Sequence, residues 1–237
     1  MTAEELWIFL STSPLLWLTA TLAAYVFADR LSERLGRHPL ANPVLIAVIL
    51  LISILAVSET PFSTYFEGAQ FVHFMLGPAT VALAVPLSEN LKQVWENIVP
   101  MLAALFAGSV TAIVSAVGVA WLFGGDETIL ASVAPKSVTT PIAMGVSERL
   151  GGVPAITAVL VITTGVIGAI LVTPLLNRIG VKDWAARGFA VGIAAHGIGT
   201  ARAFLVHPVA GTFAGIAMGL NGVVTALLLA AFSWFVG

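Results

Sequence analysis

Cysteine is absent from this chain of 237 residues, which excludes disulfides and thiolate metal sites. Charged residues are scarce: they make up 9% of the chain, against about 25% in soluble globular domains. Hydrophobic residues make up 59%. The composition therefore excludes a soluble domain and indicates an integral membrane protein in contact with the lipid bilayer.

The apolar stretches lack the strict alternation that is typical of outer-membrane barrel strands. They are long and continuous, as expected for helices that need about 20 apolar residues per crossing. The length predicts an all-α polytopic fold with about seven or eight transmembrane or half-spanning elements. We interpret residues 1–237 as one membrane domain, and the first apolar run, 6–28, as a retained helix.

Sequence patterns of catalysis are missing as well. The chain contains no nucleophile with its base, no cluster of metal ligands, no phosphate-binding glycine loop and no basic face for nucleic acid. The Gly-x-Gly at Gly197 and Gly199 is too short to indicate a nucleotide site. We therefore expect no enzyme activity, no cofactor and no nucleic-acid partner; coupling to protons or sodium stays open.

Two stretches interrupt the apolar pattern. Pro135–Pro141 (Pro-Lys-Ser-Val-Thr-Thr-Pro) places a lysine, three hydroxyls and two prolines in a membrane-embedded region, and His196–Arg202 is the second interruption. Polar or irregular backbone persists at membrane depth only where protein or water satisfies it. The sequence thus predicts two broken helical segments. Residues that free or disrupt the backbone are the predicted hinges: Pro78, Pro135, Pro141 and Gly199.

The basic loops orient the chain, because short loops rich in Lys and Arg lie on the cytoplasmic side. Loop 29–39 carries Arg30, Arg34 and Arg37. With this loop inside, the N-terminus lies outside, and the protein is expected in a bacterial inner membrane.

The second basic loop, 178–187, decides the path of segment 129–147. If that segment crossed once, the loop would lie outside, against the charge rule. If it enters from outside and returns, the loop lies inside, so we prefer a re-entrant hairpin. Segment 188–206 is then a second broken segment, entering from the cytoplasmic side. Inverted-repeat transporters place two such segments around a midplane site, with halves here of about 1–123 and 124–237.

Lys136 and Arg202 are cations in otherwise apolar stretches, and none of the twelve acids lies inside such a stretch. A charge at the centre of a membrane helix costs about 2.5–3.5 kcal/mol. One interpretation is that both face a water-filled cavity and bind an anion, since the chain supplies no buried counter-charge. The other is that they reach an interface or pair with a loop acid such as Glu148 or Asp126.

The neighbouring polar residues also have two interpretations. Ser137, Thr139 and Thr140 either donate hydroxyls to a substrate or satisfy the backbone groups that the prolines leave free. His196 either contacts the ligand or hydrogen-bonds between helices. Residues at the two breaks form the predicted substrate site: Lys136, Ser137, Thr139, Thr140, His196, Gly197, Thr200 and Arg202.

Two asparagines lie outside these breaks. Asn42 precedes Pro43, an arrangement typical of a helix cap followed by a first-turn proline. Asn221 lies in the last apolar stretch, where an amide usually hydrogen-bonds to a neighbouring helix. A substrate contact is the alternative for both.

The chain resembles the LrgB/CidB family over nearly its whole length. Bacterial members are described as antiholin-like regulators of murein hydrolase export that act with a small LrgA/CidA partner, and are linked to pyruvate. A plastid relative that fuses both halves is a glycolate/glycerate translocator. The blocks that carry the resemblance are Pro135-Lys-Ser-Val-Thr-Thr-Pro-Ile-Ala-Met144, Gly151-Gly-Val-Pro-Ala-Ile-Thr-Ala158, Ala186-Arg-Gly188, His196-Gly-Ile-Gly-Thr-Ala-Arg-Ala203, Asn42-Pro43 and Gly77-Pro-Ala-Thr-Val-Ala-Leu-Ala-Val-Pro-Leu87.

Two positions depart from the family pattern. Ala210 stands where the resemblance leads us to expect an acid, which puts the coupling ion in doubt. Ser88 stands where an aromatic residue is expected. The LrgA-like half is not part of this chain.

Two functions follow from the resemblance. The first is a carrier for small monocarboxylates such as glycolate, glycerate or pyruvate, working by alternating access, in an elevator-like homodimer. The second is a holin- or antiholin-like regulator that acts by oligomerisation and would use the stripe Gly211, Gly215, Gly219 and Gly222 for helix packing. Only the carrier explains uncompensated cations in the apolar core, so the sequence favours it.

Overall fold

The computed structural model describes residues 13–75, 78, 81, 82 and 84–236. The regular secondary structure in those ranges is helical, and no β-strand occurs there. The all-α prediction is confirmed. Contacts divide the chain into two compact units, unit 1 (Met1–Ala84) and unit 2 (Val85–Gly237). The boundary lies at Ala84, whereas the predicted inverted halves would meet near residue 123.

Unit 1 is built on small residues that let its helices pack closely. Ala24, Ala28, Ala47 and Leu51 form one buried cluster, and the buried ring of Trp17 meets Tyr65 edge to face at 5.9 Å between centroids. Its helices are α1 (Pro14–Arg34), a 3-10 turn (Pro39–Ala41), α2 (Pro43–Val57) and α3 (Phe62–Phe74).

The helices of unit 1 differ in extent from the polar and apolar stretches of the sequence. The basic loop is shorter than expected, because α1 continues to Arg34. The acidic segment 58–68, which its composition predicts to be a loop, is helical from Phe62 onward, where Gly68 packs against α1 and Ala69 is buried. The residues that flank Pro78 lie outside the described part of the chain, and so does the kink predicted there.

Asn42 is the N-cap of α2. Its side-chain oxygen accepts hydrogen bonds from the backbone N–H groups of Val44 at 2.9 Å and Leu45 at 3.2 Å. Pro43 occupies the first turn, where its missing N–H costs nothing. The structure therefore supports the role of Asn42 as a helix cap, in which its side-chain oxygen is engaged.

Unit 2 holds the two predicted breaks. Segment 88–97, whose polar composition predicts a connector, is mostly helical. The helices from Ala84 onward are α4 (Ala84–Glu89), α5 (Leu91–Glu96), α6 (Ile98–Leu122), α7 (Glu127–Val133), α8 (Thr140–Arg149), α9 (Pro154–Arg178), α10 (Trp184–Val206) and α11 (Pro208–Val236).

By length and composition, four helices of the described chain could cross a membrane: Ile98–Leu122, Pro154–Arg178, Trp184–Val206 and Pro208–Phe232. The apolar helix α2, with 15 residues, is shorter. Seven or eight elements therefore remain a prediction. The contacts within α10 also show that it does not run straight.

Hairpin 1 consists of α7, the tip at residues 134–139, and α8. In one straight helix Ser132 and Ser147 would lie about 22 Å apart. Instead Thr157 Oγ1 lies 2.9 Å from the Ser132 carbonyl oxygen and 2.7 Å from Ser147 Oγ. The chain therefore turns back on itself between the two serines. Pro141, in the first turn of α8, and the fully buried Pro135 flank the tip.

Hairpin 2 is α10 itself, in which the chain reverses its direction at His196. This residue has φ 38° and ψ −134°, which is not helical. Trp184 and His207, at the two ends, stack at 4.8 Å between ring centroids, whereas a straight helix would separate them by about 34 Å. Val191 and Ala203 likewise share one buried cluster. Segment 188–206 is thus a second hairpin; the sequence predicted a break in this segment and left open whether it spans or re-enters.

The two hairpins enter unit 2 from opposite ends of α6. Hairpin 1 follows the C-terminal end of α6, whereas the base of hairpin 2 at Asp183 shares a cavity with Asn97, which precedes α6. Their tips meet halfway along α6, near Ser109.

Asn221 of α11 joins the two tips. Its side-chain nitrogen donates to the carbonyls of Ser137 in hairpin 1, at 3.1 Å, and Ile193 in hairpin 2, at 3.2 Å. Its oxygen accepts from the hydroxyls of Ser109 on α6, at 2.7 Å, and Thr225, at 3.2 Å. Both donors and the acceptor oxygen of this buried amide are therefore used inside unit 2.

The reversal in hairpin 2 can be tested by crosslinking, because the chain has no native cysteine. In the double variant Trp184→Cys/His207→Cys, a thiol crosslinker about 10 Å long should join the two positions, since each lies at the hairpin base. The double variant Trp184→Cys/Ile198→Cys is the control, with its second site near the tip. The crosslinked peptides are quantified by mass spectrometry. A higher yield of crosslinked peptide for the control than for Trp184→Cys/His207→Cys would contradict the hairpin.

The role of Asn221 can be tested by Asn221→Leu. This variant leaves the buried Ser137 and Ile193 carbonyls without their donor, so we expect a loss of about 1–3 kcal/mol in unfolding free energy. Ser109→Ala removes one contact to the amide and should cost less. Ser115→Ala, at an exposed site on the same helix, is the matched control. Equal thermal unfolding midpoints for all four proteins would show that the amide does not hold the tips.

Candidate functional site

A cavity of about 710 Å³ lies between α6 and the first arm of hairpin 2. Its volume is in the range of small-molecule sites, about 300–1,000 Å³. Both tips contribute to its inner end: Lys136 and Ser137 from hairpin 1, and Ile193 and Ala194 from hairpin 2. The predicted breaks therefore meet at one cavity.

Lys136 is the cation among the described residues that line this cavity. Its side chain is half-buried, and Nζ lies 3.4 Å from Ser137 Oγ. Ser137 itself is 5% exposed, and its carbonyl is held by Asn221. An ammonium and a hydroxyl therefore lie side by side, and both can donate to an anion.

The outer end of the cavity lies at the base of hairpin 2. Asn97 and Asp183 line it there, about 15 Å along α10 from Ile193. Asp183 also caps α10, because its carboxylate accepts from the backbone N–H of Ala186 at 2.7 Å. The cavity thus extends from the hairpin tips towards the loop 178–187.

Arg202 lies beside a different cavity. It lines a small space of about 20 Å³ together with Trp184 and Arg187. Arg187 is buried and donates to the Val181 carbonyl and to Asn177, both at 2.8 Å. The two cations that the sequence grouped into one anion site, Lys136 and Arg202, are therefore not brought together at the large cavity.

Thr139 and Thr140 lie where hairpin 1 turns into α8, and neither lines the large cavity. Thr139 is the N-cap of α8, although its side chain makes no capping bond in the structure. Both side chains are partly exposed. Their hydroxyls as substrate ligands stay a prediction.

His196 is 4% exposed and hydrogen-bonds between helices. Its Nε2 lies 2.9 Å from the Val161 carbonyl oxygen of α9; since a carbonyl only accepts, Nε2 is the donor. The ring fits because α9 has Gly165 there, where a Cβ would lie 2.6 Å from His196 Cε1. A φ of 38° is strained for a residue with a side chain, so this contact helps to hold the reversal.

The three other predicted residues of hairpin 2 pack inside unit 2. Thr200 donates to the His196 carbonyl at 2.8 Å, and the Cα of Gly197 faces Met218. Gly199 packs against Val191, where a Cβ would lie 2.8 Å from a methyl group. The reversal itself lies at His196, three residues before the predicted hinge Gly199.

Several residues that line the cavity belong to no sequence motif that would group them. In the sequence, Asn97 and Asp183 lie outside the long apolar stretches, and Thr111 and Phe213 lie within them. Ala186, Ala190 and Ala194 recur every four residues on one side of α10, which is the signal that could have indicated a groove. Within the described ranges, no group of three or more His, Cys, Asp or Glu side chains could hold a metal ion.

Comparison with known proteins gives the family. Residues 21–235 match the LrgB-like family. The chain is 35% identical over 208 residues to an uncharacterised protein of Haemophilus influenzae, covering 88% of this chain and 90% of that protein. It is 32% identical over 214 residues to the holin-like protein CidB of Staphylococcus epidermidis, covering 90% and 93%. No solved structure matches it.

A further relative is the antiholin-like protein LrgB of Bacillus mycoides. It is 34% identical over 228 residues, which are 95% of this chain and 98% of that protein. The resemblance carried by Pro135–Met144 and His196–Ala203 is thus confirmed. By length and composition, four helical segments are apolar and long enough to cross a membrane, one of them the reversing α10; the chain is a membrane protein and belongs to the LrgB-like family.

Proposed function

We propose that this protein is a membrane carrier for small monocarboxylates such as glycolate, glycerate or pyruvate. The observation that carries the proposal is the half-buried Lys136 beside Ser137, at the point where two hairpins from opposite ends of α6 meet over a cavity. A half-buried cation with donors beside it favours a ligand that brings a negative charge. Lys136 neutralises the carboxylate and Ser137 donates to one of its oxygens.

Alternating access would follow from the arrangement of the hairpins. The cavity extends towards loop 178–187, the side that the charge rule makes cytoplasmic. In the proposal, this is the inward-facing state, and the paired tips close the opposite side. Movement of unit 2 as an elevator, in a homodimer with its N-terminus outside, would complete the cycle.

A regulator of the holin or antiholin type is the second candidate. The names of the relatives from Staphylococcus epidermidis and Bacillus mycoides, holin-like and antiholin-like, favour it, and a small LrgA/CidA-like membrane partner would belong to it. The glycine stripe lends it less support than expected. Gly211 and Gly222 already face Phe204 and Ile142 of the same chain, whereas Gly219 is exposed.

Lys136→Met tests the carrier. We expect uptake of labelled glycolate into liposomes to fall at least tenfold, because one charge-assisted contact is worth about 1.5–3 kcal/mol. Lys182→Met removes an exposed lysine from a loop and should leave uptake as in the parent protein. Lys136→Arg keeps the charge and should retain part of the activity. Equal uptake by the parent and Lys136→Met would contradict the proposed site.

Arg202→Ala tests whether two cations act on one anion. The sequence predicts loss of uptake for this variant, but the structure places Arg202 at the small cavity. We therefore expect the KM for glycolate to change less than in Lys136→Met. An equal rise in the KM for glycolate in Arg202→Ala and in Lys136→Met, with unchanged unfolding midpoints, would instead support a site in which both cations bind the anion.

The regulator makes a different prediction for the same liposomes. A holin-like pore admits large dyes, whereas a carrier that opens to one side of the membrane at a time does not. Dye leakage without glycolate uptake would overturn the carrier in favour of the regulator.

A further inference from the structure

The walls of the large cavity are more apolar than a two-carbon hydroxy acid requires. Apart from Thr111, the lining between the inner end and the outer end consists of small or hydrophobic side chains, among them Met101, Ala104, Phe189, Ala190 and Phe213. These small and hydrophobic side chains offer no hydrogen bonds to a second hydroxyl or carboxylate. They do offer contact to a hydrocarbon chain.

The volume of the large cavity also favours a ligand longer than a two-carbon hydroxy acid. A two-carbon hydroxy acid displaces on the order of 100–150 Å³, taking about 30 Å³ for each water-sized group. The cavity measures about 710 Å³. A ligand held by Lys136 and Ser137 at the inner end could therefore extend along α10 for several more carbons before it reached the outer end.

The charges define which end of the ligand is ionised. Lys136 at the inner end and Asp183 at the outer end are the charged side chains among the described lining residues. A carboxylate suits the first and is repelled by the second. A dicarboxylate would place its second charge against apolar walls or near Asp183, at a cost in both positions.

We propose that the cavity prefers monocarboxylates with an unbranched or branched apolar tail of about four to six carbons over short hydroxy acids and over dicarboxylates. This deepens the proposed function and rests on it where the readout is transport. Binding can be measured without transport, so the two can fail separately.

The test uses the purified full chain, in liposomes for uptake and in nanodiscs for binding, and a set of matched compounds. Acetate, butyrate and hexanoate vary the tail, hexanamide removes the charge, and adipate adds a second one. Inhibition of Lys136-dependent glycolate uptake should strengthen from acetate to hexanoate by at least tenfold, because each buried methylene is worth up to about a fourfold gain in affinity. Hexanamide should not inhibit, and adipate should inhibit at least tenfold more weakly than hexanoate.

Two adjacent alanines on α6 provide matched variants. Ala104 lines the cavity, whereas Ala103, equally exposed, does not. Ala104→Phe fills part of the apolar wall and should reduce the ratio of hexanoate to acetate affinity at least fivefold. Ala103→Phe should keep the ratio of the parent protein.

The outcomes separate the two claims. Glycolate uptake that acetate and hexanoate inhibit equally would overturn the apolar-tail preference and leave the carrier intact. Equal inhibition by hexanoate and hexanamide would also overturn it, because the site would then bind tails without charge, as a lipid pocket does. Calorimetry could show that hexanoate binds to the parent protein but not to Lys136→Met, while the parent protein takes up no glycolate. This result would support the preference of the cavity and overturn the carrier proposal.

Discussion

The buried amide of Asn221 is the contact on which the middle of unit 2 depends. Its two donors hold one carbonyl from the tip of each hairpin, Ser137 and Ile193. A third helix is attached through Ser109. In a membrane interior, water cannot replace such partners at low cost. One side chain therefore satisfies backbone groups that both broken segments expose and fixes the distance between their tips.

The position of Lys136 follows from this arrangement. An uninterrupted helix would leave a lysine at this depth facing lipid or a helix neighbour, at a cost of a few kcal/mol. In hairpin 1 the tip turns the side chain to the inner end of a cavity, next to the Ser137 hydroxyl. The same break that exposes polar backbone thus provides a place for the charge. His196, strained and bonded to Val161, fixes the opposite tip.

Local chemistry made some of these features predictable. The cap at Asn42 and the break between Pro135 and Pro141 depend on residues adjacent in sequence, and both were found where expected. The start of α3 and the position of Arg202 depend on packing between distant segments. The reversal at a non-glycine residue, His196, has no local signature beyond the flanking glycines. Which cations share a cavity is decided by the register of two hairpins, which periodicity alone does not define.

The central claim is that the meeting point of the hairpins binds an anion through Lys136. Ala194, exposed at the inner end of the cavity, can report this in Ala194→Cys, since the chain has no other thiol. The rate of labelling by a neutral methanethiosulfonate is measured with glycolate and with uncharged glycolamide. The account predicts that glycolate alone slows labelling at least threefold, and that Lys136→Met abolishes this protection. Equal labelling rates with both compounds at saturating concentrations, in a folded protein, would contradict it.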